Sequence, residues 1–538
     1  MKIDAVQLNY LIGDIDGNTD KIIQALERTK ADIVLFSELA ISGYPPEDLL
    51  LDDAFIEAVE RKLHLIAPST NGRFVAVGLP RRNPNGKDKS LHNSAAIFVD
   101  GQLVGFKDKT LLPTFDVFDE RRYFEPSGPG QPVYEYKGRR IGVLICEDCW
   151  QHAGDAIYSD YVRDPVLELA ESGVDLLLNL SSSPYNYRRA DIRESIFAEC
   201  AITLGCPVIL CNQVGANDQI VFDGHSMHIS AKGELVKRAK GFTTDVLSTE
   251  LADLTPCDPI LNSIADLYAA LVLGVRDYFY KQGFSKALIG LSGGIDSALV
   301  TCIAKDALGA ANVEVLFMPT RYSSEASFTD SDLLAKKLGV ALKKFSIDSL
   351  FQNSLDQLVP YFEPNDLTMQ NLQPRIRANI LMAFSNQTGA ILLNTSNKSE
   401  MAMGYSTLYG DMAGGLGVLQ DVSKGYVYQL AKYVKVIPQS IIDKIPTAEL
   451  KEGQTDFDSL PKYEILDPIL EAYIEERQSP EEIAIRQGHT LEFVQQIIDK
   501  IHAAEYKRRQ APIGIRVTKK AFSKGRNVPI VQRWKWQK

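Results

Sequence analysis

Residues 286–297 read KALIGLSGGIDS, a strand of the buried type, KALIGL, followed by a glycine-rich turn into a helix. Glycines let the backbone approach an anion closely, and the start of a helix offers unpaired N–H groups to it. We expect the helix to begin near Ser297. The turn lacks both the Lys-Ser/Thr pair of a Walker loop and the G-x-G-x-x-G spacing of a dinucleotide fingerprint. The stretch predicts a phosphate-binding turn of another kind, and a strand–turn–helix corner without a ligand is the alternative.

The sequence around this turn alternates between strand and helix patterns. A helical pattern at residues 264–280 precedes it, and strand-like runs follow at 313–318 and 390–394. This order predicts a doubly wound parallel α/β sheet. Residues 463–507 have helical periodicity, and the last 32 residues hold eleven Lys or Arg and no acidic residue. For the tail beyond Lys507 we expect a solvated or inter-subunit surface rather than a nucleic-acid site.

The first half of the chain also alternates strands with amphipathic stretches. Two of its segments, IFVDGQLVGF at 97–106 and HISAKGELVK at 228–237, resemble each other as hairpins and indicate two similar halves of one sandwich. The pattern stops near residues 249–259, which contain two prolines. We therefore predict a first domain at 1–250, a linker at 251–262 and a second domain at 263–538. The expected strands lie at residues 3–8, 33–36, 74–78, 95–99, 141–145, 176–180 and 208–210, and the expected helices at 18–29, 54–66, 165–171 and 191–204.

Length and composition agree with more than one globular domain. At about 150 residues per domain, 538 residues indicate two to four domains. The excess of 69 acidic over 58 basic residues gives a net charge of −11, which disfavours a surface devoted to nucleic acid. Seven cysteines at irregular spacing indicate free thiols in a reducing compartment. Asp4 interrupts the first apolar run and other runs are too short for a membrane span, so we expect a soluble cytoplasmic protein.

Three segments of the first half place a polar residue where an apolar run ends. These residues are Glu38, Lys109 and Cys146. A cysteine thiol becomes a nucleophilic thiolate when a base takes its proton, and a cation stabilises the oxyanion that forms on the attacked carbonyl. This set of residues supplies both the base and the cation without histidine. The C-x-x-C pair of Cys146 and Cys149 lacks a second ligand pair for zinc, and a redox role lacks the thioredoxin context. His225 and His228, three apart on an expected strand, face opposite sides and do not share a metal.

The three segments, in this order, resemble the nitrilase superfamily, whose amidases use a Glu-Lys-Cys triad. The resemblance implies an α-β-β-α sandwich in which Glu38 is the general base, Lys109 the oxyanion stabiliser and Cys146 the nucleophile. Glu120 matches the supporting glutamate of that family. Ser183 and Arg189, in the stretch SSSPYNYRR, are similar to glutamine ligands. Phe115 falls where a pocket tyrosine is common.

The turn SGGIDS resembles the pyrophosphate loop of the ATP pyrophosphatases, a Rossmann-like fold. Together the two halves are similar to the glutamine-dependent NAD⁺ synthetase family, over nearly the whole chain. The resemblance implies that ammonia released from glutamine passes through a protected channel and amidates deamido-NAD after adenylation by ATP. It also implies Mg²⁺, since Asp296 and Glu400 offer the oxygen ligands that a hard cation prefers.

Further residues are assigned by this resemblance, segment by segment. Pro374 departs from the usual alanine, and because proline is tolerated in a first helical turn we expect a helix to start near it. The implied ATP contacts are Gly290, Leu291, Ser292, Gly293, Gly294, Ile295, Asp296, Ser297, Thr395, Lys424 and Thr447, and the implied deamido-NAD contacts are Asn371, Glu400, Asp411 and Lys507.

Two other functions are weighed against this one. Another glutamine-fed ATP pyrophosphatase is disfavoured, because residue 2 is Lys2 rather than a nucleophilic cysteine and no G-x-C-x-G elbow is present. A non-catalytic nucleotide sensor is disfavoured because the triad and the SGGIDS loop are complete. The expected partners are the small-molecule substrates and a second copy of the chain, with neither nucleic acid nor membrane.

Overall fold

The computed structural model describes residues 1–86, 88–153, 161–187, 190–258 and 263–534. Contacts between Cα atoms divide the chain into two units, unit 1 at Met1–Ser263 and unit 2 at Ile264–Lys538. The linker expected at 251–262 lies partly outside the described residues.

Unit 1 contains strands and helices in alternation over its first half, as its sequence pattern predicts. Its strands are β1 (Lys2–Gln7), β2 (Ile33–Leu35), β3 (Phe74–Arg82), β4 (Leu91–Val99), β5 (Gln102–Asp108), β6 (Val133–Tyr136), β7 (Arg139–Ile145), β8 (Leu176–Ser181), β9 (Val208–Asn212), β10 (Val214–Asn217), β11 (Ile220–Asp223), β12 (Met227–Ile229), β13 (Leu235–Arg238) and β14 (Asp245–Glu250). Its helices are α1 (Ile15–Arg28), α2 (Asp53–Ile66), α3 (Pro165–Ser172) and α4 (Ala190–Leu204).

Two six-stranded sheets form the centre of unit 1, in the orders β14-β1-β2-β3-β4-β5 and β13-β12-β9-β8-β7-β6. Alternation along β2 explains the layering, because Ile33 and Leu35 join the core between the sheets whereas Val34 packs with α1 and α2. The outer face of the second sheet packs on α3 and α4. The α-β-β-α sandwich expected for this half is confirmed.

Each of the two hairpins singled out in the sequence forms one end of a sheet. The β4–β5 hairpin ends the first sheet and the β12–β13 hairpin ends the second. The first turn has positive φ at both Asp100 and Gly101, the backbone of a hairpin turn that matches strand twist. Each of the two sheets therefore has a hairpin at one end, as the similarity of the two segments predicts.

Unit 2 is a parallel sheet with helices along the chain between its strands. Its strands are β15 (Ala287–Gly290), β16 (Val313–Phe317), β17 (Ala341–Lys344), β18 (Ile391–Asn394) and β19 (Leu416–Gly417). Its helices are α5 (Ile264–Gln282), α6 (Ile295–Leu308), α7 (Glu325–Leu338), α8 (Asp348–Leu358), α9 (Asp366–Thr388), α10 (Lys398–Met403), α11 (Lys424–Val434), α12 (Gln439–Asp443), α13 (Tyr463–Leu470), α14 (Pro480–Gln487), α15 (Leu491–Ala503) and α16 (Glu505–Arg508).

The strand order β17-β16-β15-β18-β19 reverses direction between β15 and β18. Because β15 and β18 are parallel, the loops that follow them lie at the same edge of the sheet. Ligands of doubly wound sheets bind at such a switch point, beyond the carboxyl ends of the strands. The expected doubly wound parallel sheet is confirmed, and the SGGIDS loop follows β15 at this place.

Two helix starts differ from the sequence predictions. Helix α6 begins at Ile295, two residues before the expected start at Ser297, so Asp296 lies in its first turn. Helix α9 begins after the N-cap Asn365, whose side chain accepts a hydrogen bond from the Thr368 amide, and Pro374 lies inside it. The prediction that this helix starts near Pro374 is wrong, because the cap sets the start and burial of the helix outweighs one lost N–H bond.

The basic tail also differs from expectation. Arg516 and Lys520 are buried within unit 2 rather than solvated, although Asn527 further along is exposed. None of the helices in the described ranges has the length and apolar character needed to cross a membrane.

Candidate active sites

Four segments of unit 1 bring polar side chains together just after strands. Glu38 follows β2, Lys109 follows β5, Cys146 follows β7, and residues 182–183 follow β8. Cys146 has a φ of +41°, an unusual backbone for a non-glycine residue, at the start of a tight helical turn. All three predicted catalytic side chains are buried, Cys146 being 6% exposed.

Lys109 lies between two carboxylates. Its Nζ is 2.7 Å from Glu38 Oε1 and 2.8 Å from Glu120 Oε1. The other oxygen of Glu38 accepts a hydrogen bond from the backbone N–H of Ser182, at 3.0 Å. Tyr44 donates its hydroxyl hydrogen to Glu120 Oε1 at 2.9 Å. Glu38, Lys109 and Glu120 thus form one buried hydrogen-bonded cluster.

The protonation of this cluster follows from burial and from the neighbouring charges. Burial raises the pKa of Glu120 to about 7, helped by the charge of Glu38 and opposed by Lys109. Burial alone would lower the pKa of Lys109, but Glu120 and Glu38 raise it well above its usual value. Burial and then the charge of Glu38 raise the pKa of the Cys146 thiol. A thiol whose pKa is raised in this way needs a base before it can act as a nucleophile, and Glu38 is the predicted base.

Asp148 joins the cysteine turn to the lysine segment. Its Oδ1 accepts hydrogen bonds from the backbone amides of Thr110 and Leu111, at 2.9 and 2.8 Å. Its Oδ2 accepts one from the amide of Ile145 at 3.1 Å. The residues immediately after Lys109 and immediately before Cys146 are therefore held by one buried carboxylate.

The predicted glutamine-binding residues are placed only in part. Ser183 is buried, and its backbone N–H donates to Asn212 Oδ1 at 2.9 Å. Phe115 is half-buried and packs edge-to-face on Phe118. Arg189 lies outside the described residues, so its position relative to Ser183 stays a prediction.

Unit 2 has a cavity of about 290 Å³ at the switch point of its sheet. Helices α9 and α11 and the loops after β15 and β18 enclose it. The predicted residues that line it are Gly290, Leu291, Ser292, Gly294, Ile295, Asp296, Ser297, Thr395, Glu400, Asp411, Lys424 and Thr447.

Gly293 packs against α7, unlike its neighbours in the SGGIDS loop, which line the cavity. Its φ is +80°, and a Cβ there would lie 2.6 Å from the backbone oxygen of Ser327 on α7. Any side chain would push the loop away from α7. Gly293 therefore allows helix and loop to pack closely, while Gly294 lines the cavity.

Asp296 is the centre of a charged cluster at the cavity wall. Its Oδ2 is 2.5 Å from Lys424 Nζ, and its Oδ1 accepts a hydrogen bond from Asn397 Nδ2 at 3.0 Å. Glu400 Oε1 lies 3.7 Å from the same ammonium group. Burial, then the charge of Asp296, raise the pKa of Glu400 to about 8. Burial would lower the pKa of Lys424, but Asp296 and Glu400 raise it.

These two carboxylates fit the donor set that Mg²⁺ takes with nucleotides. Mg²⁺ is usually held by one or two carboxylates together with substrate phosphates and water. The described residues contain no group of three or more His, Cys, Asp or Glu arranged for a metal. Asp296 and Glu400 are a pair that already attracts a cation, the Lys424 ammonium.

Of the four predicted deamido-NAD contacts, Glu400 and Asp411 line the cavity. Asp411 accepts a hydrogen bond from the Thr407 amide at 2.8 Å, and burial raises its pKa to about 6. Asn371 accepts one from the Thr407 hydroxyl at 2.7 Å. Lys507 donates to the carbonyls of Gly404 and Ser406, at 2.8 and 2.7 Å. Asn371 and Lys507 lie outside the set of described residues that line the cavity.

Sequence reasoning missed several residues that the structure places in these clusters. Asn93 lies between His92 and Ser94 at the polar start of β4, before the apolar residues that begin at Ala95, so no apolar run singles it out. Asn397 forms a reciprocal helix cap with Glu400, which is itself a predicted site residue, and the spacing N-x-x-E indicates such a cap. Tyr44 and Asp148 had no local pattern, because Glu120 and the Thr110 amide lie 76 and 38 positions away along the chain.

Comparisons with known proteins cover both units. Residues 2–255 match the carbon-nitrogen hydrolase family and residues 267–511 match the NAD synthase family. The chain is 42% identical over 550 residues to the glutamine-dependent NAD(+) synthetase of Synechocystis sp., with 98% of each chain covered. It is 39% identical to the glutamine-dependent NAD(+) synthetase of Aquifex aeolicus, covering 99% of this chain and 100% of the relative.

Solved structures give the same result at the level of the fold. The glutamine-dependent NAD+ synthetase of Acinetobacter baumannii, in complex with ADP, is 38% identical with a TM-score of 0.77 and 98% of each chain covered. The glutamine-dependent NAD(+) synthetase of Cytophaga hutchinsonii shares the fold, with a TM-score of 0.85 at 23% identity and coverage of 99% and 98%.

Proposed function

The chain belongs to the glutamine-dependent NAD(+) synthetases, and on that premise we propose how its residues divide the reaction between two sites. It is an ATP-dependent ligase with glutamine as the amido donor. Glutamine is hydrolysed to glutamate and ammonia, and deamido-NAD is adenylated by ATP and amidated to NAD⁺, with release of AMP and pyrophosphate.

We propose that unit 1 performs the glutaminase step. Glu38 removes the thiol proton of Cys146, and the sulfur attacks the side-chain amide carbon of glutamine. Lys109 stabilises the oxyanion that forms, and Glu38 returns the proton to the leaving ammonia. Water then cleaves the thioester to glutamate. Ser183, Arg189 and Phe115 are the proposed glutamine contacts.

We propose that the cavity of unit 2 binds ATP and deamido-NAD. The SGGIDS loop offers its backbone amides and the start of α6 to the phosphates, and Thr395, Lys424 and Thr447 add polar contacts. Asp296 and Glu400 are the proposed ligands of Mg²⁺, which when bound neutralises phosphate charge. Asn371, Asp411 and Lys507 are the proposed contacts to deamido-NAD.

The observation that carries this division is the presence of two separate ion clusters in one chain, one buried in unit 1 and one at the cavity wall of unit 2. Glu38–Lys109–Glu120 lies near the Cys146 thiol, and Asp296–Lys424–Glu400 lies at the strand–loop–helix turn that is predicted to bind phosphate. Neither cluster supplies the chemistry of the other. We further propose that ammonia passes between the sites without release to bulk water, which would protonate most of it at pH 7.

The test is a substrate panel. Purified protein is given ATP, Mg²⁺ and glutamine with deamido-NAD, with xanthosine monophosphate or with aspartate, and AMP and products are quantified. We expect AMP and NAD⁺ in equal amounts with deamido-NAD alone. Amidation of either other acceptor, with deamido-NAD inert, would indicate a different amidotransferase, and nucleotide binding without AMP would indicate a sensor.

Self-association and the lack of a nucleic-acid partner are also proposals. We propose that unit 2 mediates pairing of two copies, which light scattering at several concentrations tests directly. Because Arg516 and Lys520 are buried, less of the tail's positive charge is available to phosphate backbones than the sequence indicates. A gel-shift experiment at low salt checks that point.

A further inference from the structure

Val517 and Thr518 of the basic tail are bound to a single buried carboxylate, Asp421. Asp421 Oδ2 accepts hydrogen bonds from the backbone amides of Val517 and Thr518, at 2.8 and 2.7 Å. Its Oδ1 accepts one from the Thr518 hydroxyl at 2.8 Å. Asp421 is 2% exposed, so these bonds replace its hydration. The tail is a docked segment at this point.

Lys398 completes the same buried network. Its Nζ lies 3.0 Å from Asp421 Oδ1 and 2.6 Å from Glu475 Oε1. It also donates to the Thr518 hydroxyl at 2.6 Å and to the Lys520 carbonyl at 2.9 Å. A buried ammonium group is tolerated only where several such acceptors surround it. The tail supplies two of the acceptors, so the position of Lys398 depends on it.

The neighbours of Lys398 in sequence reach the charged cluster of the cavity. Asn397 donates to Asp296 Oδ1, and Glu400 lies beside the Lys424 ammonium. Ser399 accepts a hydrogen bond from the Lys424 backbone amide at 3.0 Å. Three of the four residues in 397–400 therefore touch Asp296 or Lys424, and the fourth touches the tail.

The carboxyl-terminal end of α10 is also held by a residue from the last part of the chain. Arg508, which is buried, donates to the carbonyls of Met401 and Ala402, at 3.1 and 3.0 Å. Arg508 is in turn paired with Glu505, which also pairs with Arg526 of the tail. Both ends of this short helix are fixed by residues beyond position 500.

We propose that residues 517–520 are a positioning element of the synthetase site: docked on Asp421 and Lys398, they hold the loop that carries Asn397 and Glu400 against Asp296. The proposal rests on the proposed function of unit 2. It gives the basic tail a task in nucleotide chemistry that does not require its charges to touch the substrates.

The experiment compares Thr518→Val, Thr518→Ser and the wild type in ammonia-supported NAD⁺ synthesis. Valine keeps the volume but removes the hydroxyl shared by Asp421 and Lys398, whereas serine keeps it. We expect Thr518→Val to lower kcat about tenfold, since small displacements of reacting groups are costly, while KM for ATP changes by less than about threefold. Thr518→Ser should retain the wild-type kcat. Thr329→Val, the same change on an exposed face of α7, is the matched control.

Limited trypsin digestion provides a second reading of the tail. The tail holds Lys519, Lys520 and Lys524 as cleavage sites, and we expect Thr518→Val to be cut there faster than the wild type or Thr518→Ser. Glu475→Gln weakens the same network more gently, because the amide oxygen still accepts from Lys398. It should lower kcat in the same direction, and it tests the proposal if Thr518→Val does not fold.

Two results would overturn the positioning role. One is a wild-type kcat in Thr518→Val despite faster cleavage of its tail, and the other is an equal loss in Thr518→Ser and Thr518→Val. A wild type that forms no AMP from ATP and deamido-NAD contradicts the proposed function itself. The wild-type reaction run beside the variants therefore separates the two failures.

Discussion

The side-chain nitrogen of Asn93 donates a hydrogen bond to Glu38 Oε1 across 2.8 Å, within the same buried cluster that holds Lys109. The same nitrogen lies 3.3 Å from Oε2 of Glu120, so one amide spans both carboxylates. Glu38 thus has charge-assisted bonds from Asn93, Lys109 and the Ser182 amide. Three such bonds hold the Glu38 carboxylate in one orientation.

Replacing Asn93 by alanine should therefore impair the glutaminase step alone. Loss of a hydrogen bond to a charged group costs about 1.5–3 kcal/mol, so we expect kcat for glutamine hydrolysis to fall roughly 10- to 100-fold. Ammonia-supported NAD⁺ synthesis should stay near the wild-type rate. Asn85→Ala, on an exposed loop, is the control. An unchanged rate of glutamate formation in Asn93→Ala would show that the amide does not support the base.

Cys146→Ala should abolish NAD⁺ formation from glutamine and leave formation from added ammonia largely intact. Removing the sulfur removes the group that forms the thioester, and binding alone leaves little residual catalysis. NAD⁺ is measured with each nitrogen source at alkaline pH, where NH₃ is abundant. Cys257→Ala, which alters an exposed thiol, should keep both activities. Equal loss of both activities in a folded Cys146→Ala protein would contradict the division of labour.

Asp296→Ala should stop synthesis from either nitrogen source, by a factor of about 100 or more, because the proposed metal site and the partner of Lys424 are lost together. Glutamine hydrolysis should persist at least in part. The matched control is Asp332→Asn on the surface of α7. Ammonia-supported synthesis that survives in Asp296→Ala would remove Asp296 from the phosphate site.

These predictions depend on residues that differ in how well the sequence identified them. Glu38, Lys109 and Cys146 each follow an apolar run, which identifies them in the sequence. Glu38 and Lys109, however, follow strands of one sheet and Cys146 a strand of the other, so the packing of the sheets brings them together. Asn93 bonds to Glu38, 55 positions away, and Asp148 bonds to the amides of Thr110 and Leu111, 38 and 37 positions away, and no local pattern carries that information. Contacts of this kind depend on sheet pairing, which a single sequence specifies only through its tertiary fold.

The fold was predictable where periodicity and turn chemistry agreed. The alternation of Ile33, Val34 and Leu35 between two cores appears in the sequence as a continuous apolar run, typical of a strand buried on both faces. At Pro374 the sequence signal and the structure disagree. The proline ring suggests that a helix starts there, whereas the Asn365 cap and the packing of α9 set the start of the helix at Asp366. The tail is a similar case. Its positive charge predicted a solvated segment, but hydrogen bonds to the buried acceptor Asp421 determine its position.

Pro374→Ala measures how much the proline inside α9 costs in thermal stability. Alanine restores a backbone N–H inside α9, and proline in a helix interior costs about 3 kcal/mol relative to alanine. The approach to Gly410 is kept, since the side-chain atom of Pro374 closest to a Cβ built at Gly410 is its own Cβ, at 3.0 Å, which alanine retains. We expect a net rise in the midpoint of thermal unfolding. Pro480→Ala, at the first turn of α14 where proline is tolerated, should give none. A lower midpoint for Pro374→Ala would show that ring packing dominates.

His228 should make stability depend on pH. Its Nδ1 lies 2.8 Å from the Thr249 hydroxyl, and burial lowers its pKa to about 4, below the value of about 6.5 for an unfolded chain. The neutral ring therefore contributes stability above pH 6.5 that is lost as the pH falls towards 4, by at most about 3 kcal/mol.

Thermal unfolding at pH 7.5 and pH 4.5 checks this. The fall in midpoint between the two pH values should be smaller in His228→Asn than in the wild type. His64→Asn, on the exposed face of α2, should behave like the wild type. Parallel falls in all three proteins would assign the acid sensitivity to other groups.

The pairing of β14 with β1 has a consequence for how the chain is made. Lys2 pairs with Glu250, so the first strand to leave the ribosome waits for one of the last strands of unit 1 before that edge of its sheet is covered. Folding of this half can finish only when about 250 residues and the length that the exit tunnel shields have been synthesised. By then α5, which begins at Ile264, is already leaving the peptidyl transferase centre. The first catalytic half is therefore completed while the second is being translated, and a pause shortly after residue 250 would leave the exposed edge of β1 as the part most open to wrong pairing.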